Sequence, residues 1–481
     1  MASDKREEDY FFDATVKSAT IIVEGVRCKL HLPPTHVDPI SLVFHPTDEQ
    51  ARLLDAIGWK FSVHGELHHR ADQVTTFDAE QVLNRGLSSK YTANISENTF
   101  AGEPIFLEVT EGFGSVDYPQ AEHDINGSFW LTPNQLLSPS QRVVKSYTGN
   151  INVKTDWMLG FTLPSDVRLT FTNHYRYQED DGRALTSFHE LVAEFELKSK
   201  TIGCADVRRE MARDLEDLLT LASFAARHRC VWMGYAVTSA EGYTRYYRRD
   251  IGIPAPIKRR GDSLIAKADI KDYLDLTYRK LVEVGRNELL LKAINFAIPK
   301  EGQIFEGAFM AVYSALETLV LSFRRAHNLE MIFSDDKDAW RSLEADLRLW
   351  LKRHPQLKDD KSKRTLLYEN LPALTRVSFR TAFHKFCEFY SVNLDDLWPV
   401  VGSADGWSLA IIRNKLVHGE YFNRQQLRAL LSASEHLRWT VERMILSILG
   451  WDVSRSQVSP DKLYNRNQYK YWREDRKLLS S

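Results

Sequence analysis

The segment from Arg413 to Gly419, with the sequence RNKLVHG, places two chemically useful side chains close together. Arginine is always charged at neutral pH, and its planar guanidinium can brace two phosphate oxygens at once. His418, five residues after Arg413, is of a type that titrates near neutrality and can act as a general acid or base. These residue types could bind an anion and move a proton beside it.

An arginine followed by a histidine after four or five intervening residues occurs repeatedly in this chain. Three other segments place an arginine six residues before a histidine: Arg168/His174, Arg183/His189 and Arg348/His354. The first lies in an alternating segment, which predicts the polar face of a strand. The second follows an acidic turn that would repel a phosphate, and the third is followed directly by proline, which indicates a helix end. The segment around Arg413 is therefore the candidate site.

A helix predicted over residues 408–418 explains why the segment around Arg413 differs from the other three segments in the surroundings of its histidine. Leu409, Ile412 and Leu416 would form its buried stripe, because they are three and four residues apart. Asn414 and His418 then share a polar face, with the arginine offset by roughly 100 to 140°. A glycine follows the histidine and predicts a helix end there. We expect the imidazole to be reachable by a ligand.

The segment Ile411–Gly419 resembles the signature of HEPN domains, in particular the ApeA-like branch. Phe309–Leu321, an apolar segment with one acidic residue, resembles the early buried helix of that family. Leu371–Leu374 and Phe379–Phe383, with a tyrosine at position 390, resemble its middle section. The resemblance covers roughly residues 290–450 and implies a β-rich ApeA-type region ahead of them.

The resemblance implies a metal-independent endoribonuclease of bacterial anti-phage defence, acting by abortive infection without a cofactor. Two helical domains would dimerise so that both Arg/His sets face one cleft and cut RNA, for which tRNA is one candidate. The implied catalytic residues are Arg413, Asn414, His418 and Glu317. A homodimer or higher homo-oligomer is implied, with a phage-derived trigger, a cytoplasmic location and no membrane. The rival hypothesis is a non-catalytic sensing or scaffold protein whose helical domain only dimerises.

Glu317 has two interpretations. It is the only charged residue in a long apolar run, from Gly307 to Phe323, so it needs a partner if it is buried. Arg413 is the expected partner. A structural salt bridge and a catalytic role both fit this pairing.

Two basic clusters with interleaved aromatic residues, the first at residues 245–260 and the second at residues 462–473, could guide RNA by attracting phosphates and stacking on bases. The residues that we expect to contact RNA, including one beside the candidate site, are Lys415, Arg248, Arg249, Lys258, Arg259, Arg260, Lys470 and Arg473. An ordinary charged surface is the other interpretation. The second cluster could also pack across a partner subunit.

Length and composition indicate a folded protein of two or three domains. The chain has 481 residues and a net charge of -2, which gives no global attraction to nucleic acid. Its four cysteines form no Cys-x-x-Cys pair, so neither a disulfide framework nor a structural zinc site is indicated. The charged amino terminus is unlike a secretory signal, and the apolar run at 307–323 predicts a buried helix instead of a membrane span.

The pattern along the chain predicts an α+β multidomain protein. Alternation through about residue 200 predicts a β-rich sandwich or open barrel, and the rest predicts an all-α, HEPN-like bundle. The expected domains are 1–200, β-rich; 201–285, a helical and mixed connection; 286–455, the helical domain; and 456–481, a basic and aromatic tail. Expected helices lie near 205–228, 270–297, 305–326, 338–354, 378–390, 408–418 and 424–449, with a solvated loop at 358–364.

Overall fold

The protein divides into two compact units, Met1–Asp262 and Ser263–Ser481. A computed structural model describes residues 8–32, 39–69, 73–92, 95–112, 125–145, 151–163, 167–180, 184–197, 211–238, 242–250, 263–300, 302–332, 336–402, 406–420 and 422–480. The expected connecting segment 201–285 is split between the units, because its strands pair within the first and its last helix lies in the second.

The first unit is built mainly from strands. They are β1 Glu8–Lys17, β2 Ile22–Leu32, β3 Ser41–His45, β4 Lys60–His68, β5 Val74–Thr92, β6 Ile95–Glu103, β7 Phe106–Gly112, β8 Ile125–Leu131, β9 Ser140–Lys145, β10 Ile151–Trp157, β11 Leu159–Thr162, β12 Arg168–Asp180, β13 Ala184–Leu197, β14 Trp232–Thr238 and β15 Gly242–Arg248. Among the described residues of this unit, two helices accompany the strands, α1 Asp48–Asp55 and α2 Ala212–Ala226. The predicted β-rich region is confirmed.

Six strands close into a barrel, in the order β5-β4-β1-β2-β3-β6, with β6 pairing back onto β5. The predicted sandwich or open barrel is therefore wrong in this detail. Alternate residues along the strands fill the barrel interior with aromatic side chains. Among them are Phe12 and Phe77, whose ring centroids are 4.6 Å apart. Gly65 on β4 allows this packing, because a Cβ atom there would lie 2.1 Å from the Phe77 ring.

The sheet continues beyond the barrel as β7-β15-β14-β8-β13-β12-β11, with antiparallel neighbours throughout. The helix α2 is almost wholly buried and is tied to these strands by side chains. The backbone amide of Cys230, just before β14, donates to Ser223 Oγ of α2, and the Trp232 indole of β14 donates to Glu216 of α2. Residues 205–210 of the predicted helix 205–228 lie outside the described residues.

The second unit is mostly helical. Its helices are α3 Ile270–Glu283, α4 Glu288–Ala297, α5 Phe305–Ala326, α6 Lys337–Arg353, α7 Lys361–Asn370, α8 Phe379–Phe389, α9 Leu409–Val417, α10 Arg424–Ile448, α11 Pro460–Leu463 and α12 Asn467–Ser480. The predicted all-helical character is confirmed. The helix predicted over 270–297 is two helices, because Gly285 and Arg286 adopt left-handed backbone angles and Asn287 then caps α4.

Two other expectations were wrong in detail. The solvated loop predicted at 358–364 already contains the first turn of α7, which Asp360 caps by accepting from Lys363 N. The tail predicted at 456–481 folds as α11 and α12, and α12 packs along α10.

One described helix, α5, is apolar and long enough to cross a membrane by composition. Only 33% of its most apolar window is buried, and the core helix of a globular protein passes the same test. Phe309, Leu316, Leu319 and Phe323 form its buried side, and Phe323 meets Phe386 of α8 edge to face at 5.5 Å. This packing agrees with the predicted buried helix, so α5 is weak evidence for a membrane span.

Candidate functional site

The helix α9 carries the candidate residues and is capped at both ends. Ser408 accepts a hydrogen bond from Ile411 N at its start. At its end Gly419, at φ 70°, donates to Leu416 O, and the next amide, from Glu420, reaches back to Lys415 O. This pair of bonds is a Schellman cap, which needs a left-handed residue after the helix. The predicted glycine stop is confirmed, and it places His418 as the C-cap residue.

The faces of α9 divide much as its sequence predicts. Leu409 and Ile412 are fully buried and Leu416 is half-buried, whereas Asn414 and His418 are exposed. His418 is bonded through its backbone amide to Asn414 O at 3.0 Å. Its ring forms no hydrogen bond or ion pair with any residue that the structure describes. The imidazole is therefore open to a ligand.

Arg413 links α9 to α5. Its Nη2 lies 3.5 Å from Glu317 Oε1, and its Nη1 donates to Asn414 Oδ1 at 3.3 Å. Both contacts are long, and the buried Nε has no partner among the described residues. The guanidinium is half-buried and is not saturated with hydrogen bonds, so it can engage an anion with little loss. The predicted pairing of Arg413 with Glu317 is confirmed.

Tyr313, one turn before Glu317 on α5, completes this cluster. The guanidinium of Arg413 lies 5.7 Å from its ring centre, within cation–π range. Burial, followed by the charge of Glu317, raises the pKa of Tyr313 to about 12, while Arg413 acts in the opposite direction. The phenol therefore stays protonated at neutral pH, so it can donate or accept a hydrogen bond or present its ring, but it cannot act as a phenolate base.

The first turn of α9 is held by residues distant in the sequence. Leu409 N and Ala410 N donate to Pro399 O and Val400 O, which satisfies amides that a helix start leaves free. Just before the helix, Trp407 O accepts from the Trp398 indole and from Arg476 of α12, both at 2.9 Å. The terminal helix therefore fixes the position from which the site helix starts.

A buried polar network fixes the loop that holds α9. His436 of α10 accepts from Trp398 N at 3.1 Å and donates from its other ring nitrogen to Gln468 O. Arg443 of α10 forms two bonds to Asp396, at 2.6 and 2.7 Å, and Tyr469 of α12 donates to the same carboxylate. Burial acts to raise the pKa of Asp396, but the hydrogen bonds and charge of Arg443 outweigh it and lower this pKa.

The residues of the helical unit that were predicted to contact RNA already interact with neighbouring side chains. Lys415 forms an ion pair with Glu420, and its Nζ lies 4.5 Å from the Trp407 ring centre. On α12, Lys470 and Arg473 are exposed. Each lies over an aromatic ring, Lys470 over Tyr464 and Arg473 over its neighbour Trp472.

The cluster in the first unit has a different environment. Arg248 is held between Glu216, at 2.5 Å, and Asp250, at 2.9 Å, and it stacks on Trp232 at 4.3 Å. Arg249 is half-buried, with its amide bonded to Ile105 O. The aromatic residues between the charges are buried in the sheet and cannot stack with bases: Tyr246 and Tyr247. Lys258, Arg259 and Arg260 lie outside the described residues.

Sequence reasoning missed the residues that support α9, namely Tyr313, Trp398, Trp407, His436 and Arg476. A signal existed for α12, because Tyr469, Trp472, Arg476 and Leu479 recur at helical spacing. Within the described part of the chain, no group of three His, Cys, Asp or Glu side chains is placed to hold a metal ion.

No protein-family model matches this sequence, and neither the curated proteins nor the solved structures contain a match.

We predict that Gly419→Ala lowers the free energy of unfolding by about 1 kcal/mol, because alanine is strained in the left-handed region. Gly419→Asn is the matched control and should cost less, since asparagine tolerates these angles. Urea unfolding of both variants checks this order. Equal stability of Gly419→Ala and the unmodified protein would contradict the assigned cap.

We also predict that the protein loses stability as the pH falls from about 6.5 to 4. Burial lowers the pKa of His436 to about 4, whereas an unfolded histidine titrates near 6.5. The unfolded chain therefore binds a proton in this window that the folded chain rejects, which removes about 3 kcal/mol by pH 4. The measurement is urea unfolding at a series of pH values. His436→Gln, which keeps a donor and an acceptor, should flatten this dependence, and an unchanged slope would contradict it.

Proposed function

We propose that the helical unit is a metal-independent endoribonuclease of the HEPN type, of the ApeA-like branch. The observation that carries the proposal is the combination on α9 of an open imidazole, at His418, with an unsaturated guanidinium, at Arg413. Anion binding and proton transfer are the two tasks that cleavage of a phosphodiester by its own 2′-hydroxyl needs.

The proposed roles follow from the position of each group. His418 takes the proton of the attacking 2′-hydroxyl or gives one to the leaving 5′-oxygen. Arg413 turns from its long contacts toward the phosphorane and neutralises the charge that develops there. Asn414, on the same exposed face, orients the phosphate or the imidazole. Bond formation at phosphorus from the 2′-oxygen and loss of the 5′-oxygen leave a 2′,3′-cyclic phosphate and a 5′-hydroxyl end.

A homodimer would complete this site. The reaction needs one base and one acid, but each α9 supplies a single histidine, so the second proton transfer falls to the histidine of another copy. Exposed apolar residues lie on α9 itself and on α10, the helix that follows it: Ile411, Val417, Leu427 and Leu431. Apolar side chains exposed around polar catalytic groups favour association of two copies.

We assign Glu317 a positioning role. Its carboxylate lies beside Arg413, where a negative charge would repel an RNA phosphate, so it cannot itself stabilise the reacting group. It holds the guanidinium in place while the site is empty. We further propose that the β-rich unit senses a phage-derived trigger and restrains the nuclease, within a cytoplasmic abortive-infection system that cuts RNA such as tRNA.

A second candidate function is a scaffold whose helical unit only dimerises. The ion pair between Arg413 and Glu317 favours it, because this pair links α9 to α5 and could be purely structural.

We predict that His418→Ala lowers the rate of RNA cleavage by about 10² to 10⁴, the usual contribution of general acid–base catalysis. The measurement is single-turnover cleavage of tRNA and total RNA by the full chain, with and without chelator, followed by analysis of the RNA ends. His384→Ala, an exposed histidine of the same unit, is the matched control and should cleave normally. Equal cleavage by the unmodified protein and His418→Ala, or ends other than a cyclic phosphate, would contradict the role assigned to His418, and no cleavage by the unmodified protein would favour the scaffold.

We predict that Glu317→Gln changes cleavage by less than about tenfold, whereas Arg413→Ala lowers it by about 10² or more. Glutamine keeps a hydrogen-bond acceptor near Arg413 and removes only the charge. The same single-turnover assay checks both variants. A loss with Glu317→Gln as large as that with Arg413→Ala would show that the carboxylate takes part in catalysis.

A further inference from the structure

The helices α6 and α7 form a hairpin whose outer face is exposed. Tyr368 of α7 donates to Arg348 O of α6 at 3.2 Å, and the Arg348 guanidinium lies 4.8 Å from the Tyr368 ring centre. Of the residues in α6, all of which the structure describes, only Leu351 is buried. A helix of this length normally buries an apolar face, so the exposed side of α6 calls for an explanation.

A regular stripe runs along α6 beside its exposed side. Its members are Trp340, Leu343, Leu347 and Trp350, at steps of three, four and three residues, followed four residues later by His354 at the helix end. Leu343 and Trp350 are exposed, whereas Trp340, Leu347 and His354 are half-buried. These steps are the heptad spacing by which one helix packs against another. Leu343 is 42% exposed and Trp350 is 58% exposed, although large apolar side chains in such a stripe seldom face water. The spacing indicates a helical partner.

The charges beside the stripe indicate the identity of the partner helix. Asp346 and Arg353, seven residues apart, flank the same edge of the stripe and are both exposed. Neither forms an ion pair with any described residue, whereas Glu344 is paired with Arg348 at 2.7 Å. One edge of α6 therefore presents an unpaired acid and an unpaired base, two turns apart.

A second copy of α6 satisfies both charges if it runs antiparallel. A two-fold axis then sets Asp346 against Arg353 of the partner subunit, and the same contact recurs by symmetry. A parallel pair would instead set Asp346 beside Leu351 and leave the arginine without an acid. We propose that the outer face of α6 is a self-association surface on which two copies of this chain pair antiparallel.

This surface lies on other helices than α9 and does not depend on the proposed ribonuclease activity. If the copies also pair through α9, the chain has two different two-fold contacts, which together generate a tetramer or a longer assembly. The hairpin contact can therefore be lost while the cleavage site stays complete.

Charge reversal tests the pairing in the full chain. Asp346→Arg and Arg353→Asp, each alone, set like charges together, and we expect each to lower the mass of the particle about twofold in sedimentation equilibrium. The double variant Asp346→Arg/Arg353→Asp restores opposite charges across the two-fold axis and should regain the original mass. Trp350→Glu should dissociate the pair as well. His418→Ala is the control and should leave the mass unchanged.

Three outcomes would overturn the proposal. The first is the same mass for the unmodified protein and both single variants over a hundredfold range of concentration. The second is a double variant that stays dissociated although its circular dichroism spectrum matches that of the unmodified protein. The third is binding of the unmodified protein to anionic lipid vesicles that Trp350→Glu abolishes without a change in mass, which would assign the stripe to a membrane surface.

Discussion

The helical unit depends on an ion pair between Arg443, which is buried, and Asp396, which is half-buried. Two charges inside a protein lose their hydration, and only good geometry with further hydrogen bonds offsets that loss. Here the guanidinium also donates to Val458 O and Asn393 O, and the carboxylate also accepts from Tyr469. Removal of either partner from such a pair typically costs 3–5 kcal/mol. The pair joins α10 to the loop that precedes α9, and the bond from Tyr469 adds α12 to this contact. The position of the site helix therefore depends on the pair.

The sequence predicted the helices of the second unit closely, because their apolar residues recur with a clear period. The exceptions have local causes, such as the left-handed angles of Gly285 and Arg286, which split one predicted helix. Barrel closure was not predictable in the same way. It requires β6 to pair with both β3 and β5, and β3 lies more than fifty residues before β6. No local alternation of side chains records such a pairing.

The candidate site was predictable in its residues but not in its support. The spacing from Arg413 to Gly419, together with a lone acid in an apolar helix, was enough to expect the cap, the exposed imidazole and the pairing with Glu317. The roles of Tyr313 and Arg476 could not be found in this way, since neither a tyrosine in an apolar run nor an arginine at helical spacing in the last helix indicates a contact with the site. Their importance comes from contacts between distant segments, which only the folded structure contains.

The bond from Arg476 to the carbonyl of Trp407 spans 69 residues. A ribosome makes a chain in sequence order, so α9 emerges well before the helix that anchors its first turn. Until α12 is made, the peptide groups of residues 406 and 407 lack their guanidinium donor, and Asp396 lacks the Tyr469 hydroxyl. The segment from Arg413 to Gly419 therefore reaches its final position only after α12 has been made and has packed against the loop before α9.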